Sequence, residues 1–521
     1  EFATPKYTGN ITVASGGVLK VNAATYLTNY SASPTLNAGS TVEYSSITTN
    51  QTVSNSFTYS TLRVSGTGVK TLAGSLTALT SSTASNGNIY VTAGTLDLSS
   101  FTANRGTTTV GGTLSISNGA TLKIGGTNSF PINYSTVSVG VTSTVEYSGT
   151  NQTVISHSYG NLMFSSSTGN AVKTLPATAL TVSGNFSSMA GVGTGLNFTA
   201  ASNITVIGDV NIGASTIFDG GSFSHNIGGN WTNNGTFTGS TSTVIMTSPA
   251  KSISGTGVQN FNNLTLAASN ITALGSGNLT VAGNLATTGA GTFTQSPGGT
   301  LIMSGTSKTI TGTGFTFDNF TASGSITATS NIVISGNLAV SGSFTNTGGI
   351  INMTGSSKTI SGVGTISPGT LTIDGSVTTA SNFSINGTLD VNGTFSASAG
   401  TATFTASSTI DGTANLFNVN INGTSLQLAT SAVLGIANAF TITSGALNTT
   451  TTTPNTVNYN GTGAQTVTAT TYNNLILSNG NTKTAGAGLT INRDLTIAAT
   501  TTFNASLFTH SIAGNFSNSG T

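Results

Sequence analysis

The residues of this chain that could do acid–base or metal chemistry are few and scattered. The carboxylates are Glu1, Glu43, Asp97, Glu146, Asp209, Asp219, Asp318, Asp374, Asp390, Asp411 and Asp494. Glycoside cleavage needs two of them converging on one bond, and a lyase or calcium site needs several with Arg, Lys or further oxygens. Only Asp209 and Asp219 approach a short motif, and Asp374 and Asp390 stand near one coil length apart if the chain coils. Asp219-Gly220, Asp374-Gly375 and Asp411-Gly412 read instead as turn positions. Of the three histidines, His225 and His510 occupy equivalent places in a repeat, which marks a packing or turn role, and His157 stands alone. No Ser has a His/Asp constellation that repetition leaves unexplained. No phosphate loop with Gly-Lys-Ser/Thr occurs, so the glycines read as turns. Catalytic, cofactor-binding and metal-ligating residues are therefore assigned as none, and no cofactor is expected.

The lysines recur in a pattern. Lys70, Lys173, Lys251, Lys308, Lys358 and Lys483 each precede Thr or Ser. A row of them could meet an anionic polysaccharide, but the expectation is that they solubilise the edge of each coil. Trp231 aligns with Phe516 and is expected in the core. Sequons such as Asn10-Ile11-Thr12 and Asn197-Phe198-Thr199 arise by chance in a chain this rich in Asn and Thr, and leave glycosylation open.

Composition narrows the field further. Charged residues make up 4% of 521 residues and the formal net charge is +1, against about 25% charged residues in ordinary soluble domains. Disordered chains carry high net charge and few β-branched residues. Here Thr, Val and Ile abound, which is a β composition made polar by hydroxyls and amides. Nucleic-acid binding needs clustered Lys and Arg, and these are single. No apolar stretch reaches the roughly 18 residues of a membrane helix. Zero Cys rules out a disulfide framework. No signal peptide is visible, so residue 1 is expected to follow a removed segment, although Glu1-Phe2 also reads as a cloning remnant.

Self-comparison sets the fold. Thr41-Val42-Glu43-Tyr44-Ser45 returns as Thr144-Val145-Glu146-Tyr147-Ser148, and the same spacing links Leu19-Lys20 to Leu122-Lys123 and Lys70-Thr71-Leu72 to Lys173-Thr174-Leu175. The anchor continues at Val244-Ile245-Met246, Leu301-Ile302-Met303, Ile351-Asn352-Met353, Ala402-Thr403-Phe404 and Val457-Asn458-Tyr459, these copies falling at about half that spacing. Second phrases follow, such as Asn151-Gln152-Thr153-Val154, Ser307-Lys308-Thr309-Ile310, Ser357-Lys358-Thr359-Ile360 and Gln465-Thr466-Val467. Third phrases read Asn263-Leu264-Thr265-Leu266 or Gly336-Asn337-Leu338-Ala339-Val340. Each is a short run alternating apolar with Thr, Ser or Asn and bounded by Gly, which is strand patterning with turn punctuation.

A unit of about 50 residues is small for a sandwich and gains a core only by stacking. The expectation is all-β: an elongated parallel β-solenoid, or β-helix, of ~50-residue repeats with about two coils each. Like charges about 4.8 Å apart in register would repel, whereas Thr, Ser and Asn form ladders. The array is read as continuous over 1–521, with sub-blocks 1–103, 104–206, 207–260, 261–310, 311–360, 361–410, 411–465 and a partial 466–521. His225-Asn226-Ile227-Gly228-Gly229-Asn230-Trp231 aligns with His510-Ser511-Ile512-Ala513-Gly514-Asn515-Phe516, and the later copy stops where the earlier runs on. Neither end reads as a polar cap. The chain is therefore expected to be part of a longer one, or a subunit whose ends neighbours cover.

The phrases Gly119-Ala120-Thr121-Leu122-Lys123-Ile124-Gly125-Gly126-Thr127-Asn128-Ser129-Phe130-Pro131, Ser143-Thr144-Val145-Glu146-Tyr147-Ser148-Gly149-Thr150-Asn151-Gln152-Thr153-Val154, Tyr472-Asn473-Asn474-Leu475 and Phe508-Thr509-His510-Ser511-Ile512-Ala513-Gly514-Asn515-Phe516 carry a resemblance. They resemble the repeats of very large, secreted, adhesin-like surface proteins of Bacteroidota and related bacteria. The resemblance covers most of the chain and implies export to the cell surface and a repetitive β architecture, not catalysis. The C-terminal sorting domain that such proteins often carry is not seen.

The functional expectation is an extracellular structural protein at the cell surface, a fibre, stalk or filament subunit. Its partners would be copies stacked end to end or further chain, with glycan or surface contact, no nucleic acid and no membrane insertion. The alternative is a polysaccharide- or surface-binding adhesin, and behind it a β-helix carbohydrate-active enzyme. A flat Thr array for ice is disfavoured because Thr449 to Thr453 and Thr500 to Thr502 run consecutively rather than alternating.

Overall fold

Alternating runs of four residues between Gly and Asn turns can bury one face only by lying against a copy of themselves. A computed structural model describes residues 7–76, 79, 87–106, 111–166, 169–191, 193–275 and 277–521. The chain divides into two compact units, Glu1–Asn262 and Asn263–Thr521. Each is a parallel β-solenoid. Among the described residues the one helical element is a single 3-10 turn, Tyr26–Thr28.

In the C-terminal unit three parallel sheets wrap one core. Sheet A contains strands such as Ile271–Ala273, Phe293–Gln295, Phe315–Phe317 and Ile332–Ile334. Sheet B contains Asn278–Val281, Thr300–Met303, Asn319–Ala322 and Leu338–Val340. Sheet C contains Asn263–Leu266, Leu285–Thr287, Lys308–Thr311 and Ser325–Ala328. A strand pairs with the third strand after it, so one coil is three strands. Coil length is not constant: Phe315 pairs with Ile332 across a short coil, and Leu285 with Ile310 across a long one. The N-terminal unit also stacks in parallel register, from a short coil that sets Thr144 against Asn161 to a long one that sets Thr61 against Asn88. Up to Thr144–Tyr147 its described strands pair with the second strand on, as Thr41–Tyr44 does with Thr61–Val64, and from there with the third.

Inward positions are apolar and form columns, such as Leu301 over Phe320 over Leu338, all 0% exposed. Truncating one of these to Ala should cost ~2–5 kcal/mol, because the coils above and below hold the cavity open.

The 50-residue phrase does not fill a whole number of coils. Between Thr300–Met303 and the strand segment 350–353 lie strand segments 308–311, 315–317, 319–322, 325–328, 332–334, 338–340 and 343–346, so the anchor returns after eight strands. Eight strands make two and two-thirds coils. The anchor therefore steps round the prism: Met303 is in sheet B, Met353 in sheet A beside Ile334, Phe404 in sheet C beside Ile385, and Tyr459 again in sheet B beside Ile436. All four are 0% exposed.

Asn serves the corners, where the sheets bend and the ladder breaks. The side-chain Oδ1 accepts the backbone N–H one coil on: Asn161 from Asn185, Asn185 from Asp209, Asp209 from Asn230 and Asn230 from Ser252. The C-terminal unit repeats the device with Asn263 to Asn284, Asn284 to Thr309, and Asn319 to Asn337 to Thr359. This satisfies donors that would otherwise be left at a bend. It also gives the abundance of Asn a structural reason.

Candidate functional site

Inside the solenoid three polar modules are built from one recipe. Each starts at a buried anchor tyrosine whose hydroxyl meets a second tyrosine: Tyr44 with Tyr59 at 3.2 Å, Tyr147 with Tyr159 at 3.0 Å and Tyr459 with Tyr472 at 3.1 Å. The second hydroxyl donates to a backbone carbonyl, of Ser54, Ile155 and Thr468 respectively. Burial pushes these phenols up, Tyr147 to about 12.

A glutamine follows each anchor. Gln51, Gln152 and Gln465 accept the N–H of Ser46, Gly149 and Gly461, and their amide hydrogens go to carbonyls one coil back. Directly in register on the next coil stands a lysine: Lys70 against Gln51, Lys173 against Gln152, Lys483 against Gln465. All three lysines are 0% exposed. Lys173 Nζ donates to Gly149 O at 2.6 Å, Thr150 O at 3.2 Å and Gln152 Oε1 at 2.6 Å. Lys483 does the same to Gly461 O, Gly463 O and Gln465 Oε1, and Lys70 to Ser46 O and Gly68 O. Burial lowers all three amines, Lys173 to about 8.

This corrects the sequence expectation for half of the lysine series. Lys70, Lys173 and Lys483 are core residues that tie inward-turned carbonyls, and no glycan can reach them. Lys251, Lys308 and Lys358 are half-buried. The repeat conceals two classes because Lys308 and Lys358 occupy the Gln position of the phrase, with Ile326 and Val377 in register beneath them.

The carboxylates take two arrangements. In the N-terminal unit signs alternate along outward rows: Lys20, Glu43, Arg63 on one sheet, and Asp97, Lys123, Glu146 on its neighbour. Glu43 lies 3.9 Å from both Lys20 and Arg63. In the C-terminal unit Asp390 and Asp411 are register neighbours, a like-charge pair. Asn392 links Asp390 to Asp374 at 3.3 and 3.0 Å, and Asn352 donates to Asp374 at 2.7 Å. Coiling thus brings Asp374 and Asp390 together. The two amides hold the Asp374 carboxyl below its ordinary range, the opposite of the shift a proton-donating acid requires. Asp209 and Asp219 are separate, the first serving a corner and the second accepting from Gly221 N and Ser240 Oγ.

His225 is 1% exposed and its Nε2 meets Gly220 O at 2.8 Å within the same turn; His510 meets Ala505 O at 3.0 Å in the equivalent turn. Burial lowers His225. His157 packs edge-on against Phe130 and Tyr159. Trp231 is 0% exposed, among Phe218, Phe237 and Phe261. Among the described residues no group of three or more His, Asp or Glu is placed to hold a metal ion, and no helix is long and apolar enough to cross a membrane. No family model, curated protein or solved structure matches the chain.

Proposed function

We propose that the chain is an extracellular structural protein, a cell-surface fibre, stalk or filament subunit without a catalytic role. The observation that supports this most is where the polar side chains are spent. Corner asparagines and Gln–Lys pairs join one coil to the next, and tyrosine pairs tie a coil across its own interior, so that the polar chemistry serves the stack. Sparse charge fits the same purpose, because like charges in register on stacked coils repel; Asp390 beside Asp411 is a like-signed pair that the chain nevertheless carries. Any coil stack ends in strand edges with unpaired N–H and C=O groups, a template for another coil. The partners are accordingly further coils, in the same chain or in a second copy. The resemblance of the repeats to adhesin-like surface proteins points to the same location.

Immunogold labelling of intact cells with an antibody to this chain tests the proposal. Gold on the outer surface and along projections is the expected result. Label confined to the cell interior would overturn it.

A further inference from the structure

One outward face of the N-terminal unit departs from the polar rule. On the sheet formed by Ala171–Thr174, Leu196–Thr199, Thr216–Asp219, Thr236–Thr238 and Val258–Phe261, Val172 pairs with Asn197, Asn197 with Ile217, Ile217 with Thr236, and Thr236 with Val258. Val172, Ile217 and Val258 are 45%, 46% and 49% exposed. They stand two coils apart, ~10 Å at ordinary strand spacing, with an amide and a hydroxyl between them. The row therefore alternates apolar and polar along the stack.

A groove of about 450 Å³ covers the middle of this row, Asn197, Ile217 and Thr236, with Val172 and Val258 outside its lining, and it also takes in Asn170 and Asn234. Glycine is required at Gly235, where a Cβ would come 2.4 Å from the Thr216 carbonyl oxygen. Asn170 and Asn234 spend their Oδ1 atoms on the N–H groups of Gly195 and Thr256, and their Nδ2 donors stay unspent among the described residues. None of the lining side chains is charged.

We infer that this row and groove form a binding track for an extended, neutral, β-linked polysaccharide lying along the coils. Such a chain presents C–H faces and hydroxyl edges in turn, and its disaccharide repeat is close to the two-coil period. Exposed Val and Ile accept the C–H faces, while Asn and Thr meet the hydroxyls. A track without cations offers nothing to a uronate or sulfate. A protein partner would need roughly 800 Å² of well-packed surface per side, and polar neighbours interrupt this apolar row. The inference goes beyond the structural reading, and either can fail alone.

Titration calorimetry of the full chain with cellohexaose, chitohexaose and xylohexaose tests it, with polygalacturonate as the anionic comparison. Saturable binding of at least one neutral hexasaccharide is expected, weakened about tenfold or more by Ile217→Asp and unchanged by Thr205→Asp on the adjacent sheet. Both substitutions face outward, and matching thermal melts confirm that the variants are folded. Asn197→Ala gives a second reading without a new charge and is expected to weaken binding as well. Failure of all three neutral sugars to bind, tighter binding of polygalacturonate, or equal affinity in wild type, Ile217→Asp and Asn197→Ala would overturn the inference.

Discussion

Two corners of the C-terminal unit answer the same sequence phrase in different ways. At residues 456–485 the anchor is Tyr459, the turn carbonyls of Gly461 and Gly463 point inward, and Lys483 from the next coil caps them beside Gln465. At residues 350–377 the anchor is Met353, and the turn instead closes through Ser357 at φ 55°. Ser307 repeats this at φ 55° after Met303. Lys358 lies across its turn, with its stem where a Cβ on Gly355 would come within 2.8 Å. One corner is closed by a buried cation and the other by a left-handed backbone residue. A stacked coil tolerates either, provided that no backbone carbonyl is left facing the core alone.

The largest expected effect breaks that contrast. Lys483→Met takes the lysine donor from two carbonyls and leaves Gln465 Oε1 with the Gly461 N–H alone, a loss of about 3 kcal/mol. Lys358→Met exposes nothing and should stay within about 0.5 kcal/mol. Hydrogen exchange resolved along the chain reads both, since repeat arrays open locally. Protection should fall around 461–485 in the first variant and stay unchanged around 354–377 in the second.

Tyr459→Phe comes next. It removes the contact with Tyr472 and the bond from Thr468 N at 2.9 Å, for about 1–2 kcal/mol. Met353→Leu, which keeps volume, should cost less than about 1.5 kcal/mol.

Alkaline pH separates the two kinds of corner without mutation. Lys173 is depressed from 10.5 to about 8, so between those values the folded chain has shed a proton that the unfolded chain keeps. Stability at that module rises with pH across the window. The buried tyrosines are raised above 10.0, so above that value the unfolded chain loses protons that the folded one retains, and stability falls. Exchange protection at the modules should therefore peak near pH 10, and protection at the Met corners should show no such peak once the intrinsic exchange rate is divided out.

The smallest effect is Ser357→Gly, which relieves a left-handed side chain and should stabilise by about 1 kcal/mol or less in urea unfolding.

The solenoid is legible in the sequence because period-two runs, Gly turns and returning anchors each report on stacking. Tyr44, Tyr147 and Trp231 read as core for the same reason, and all are 0% exposed. Register is not legible. Coil length varies, so the spacings that bring Asp390 beside Asp411, or Val172 into one row with Ile217 and Val258, follow no fixed period. The eight-strand phrase is hidden too, because an anchor that rotates through three sheets looks in sequence like one position. The lysines mislead because both classes precede Thr; only Gln in register on the neighbouring coil marks a buried one.

Negative-stain electron microscopy of the purified chain tests the central claim most directly. Unbranched filaments that lengthen as concentration rises are the expected result. Particles that stay separate at every concentration would contradict that claim.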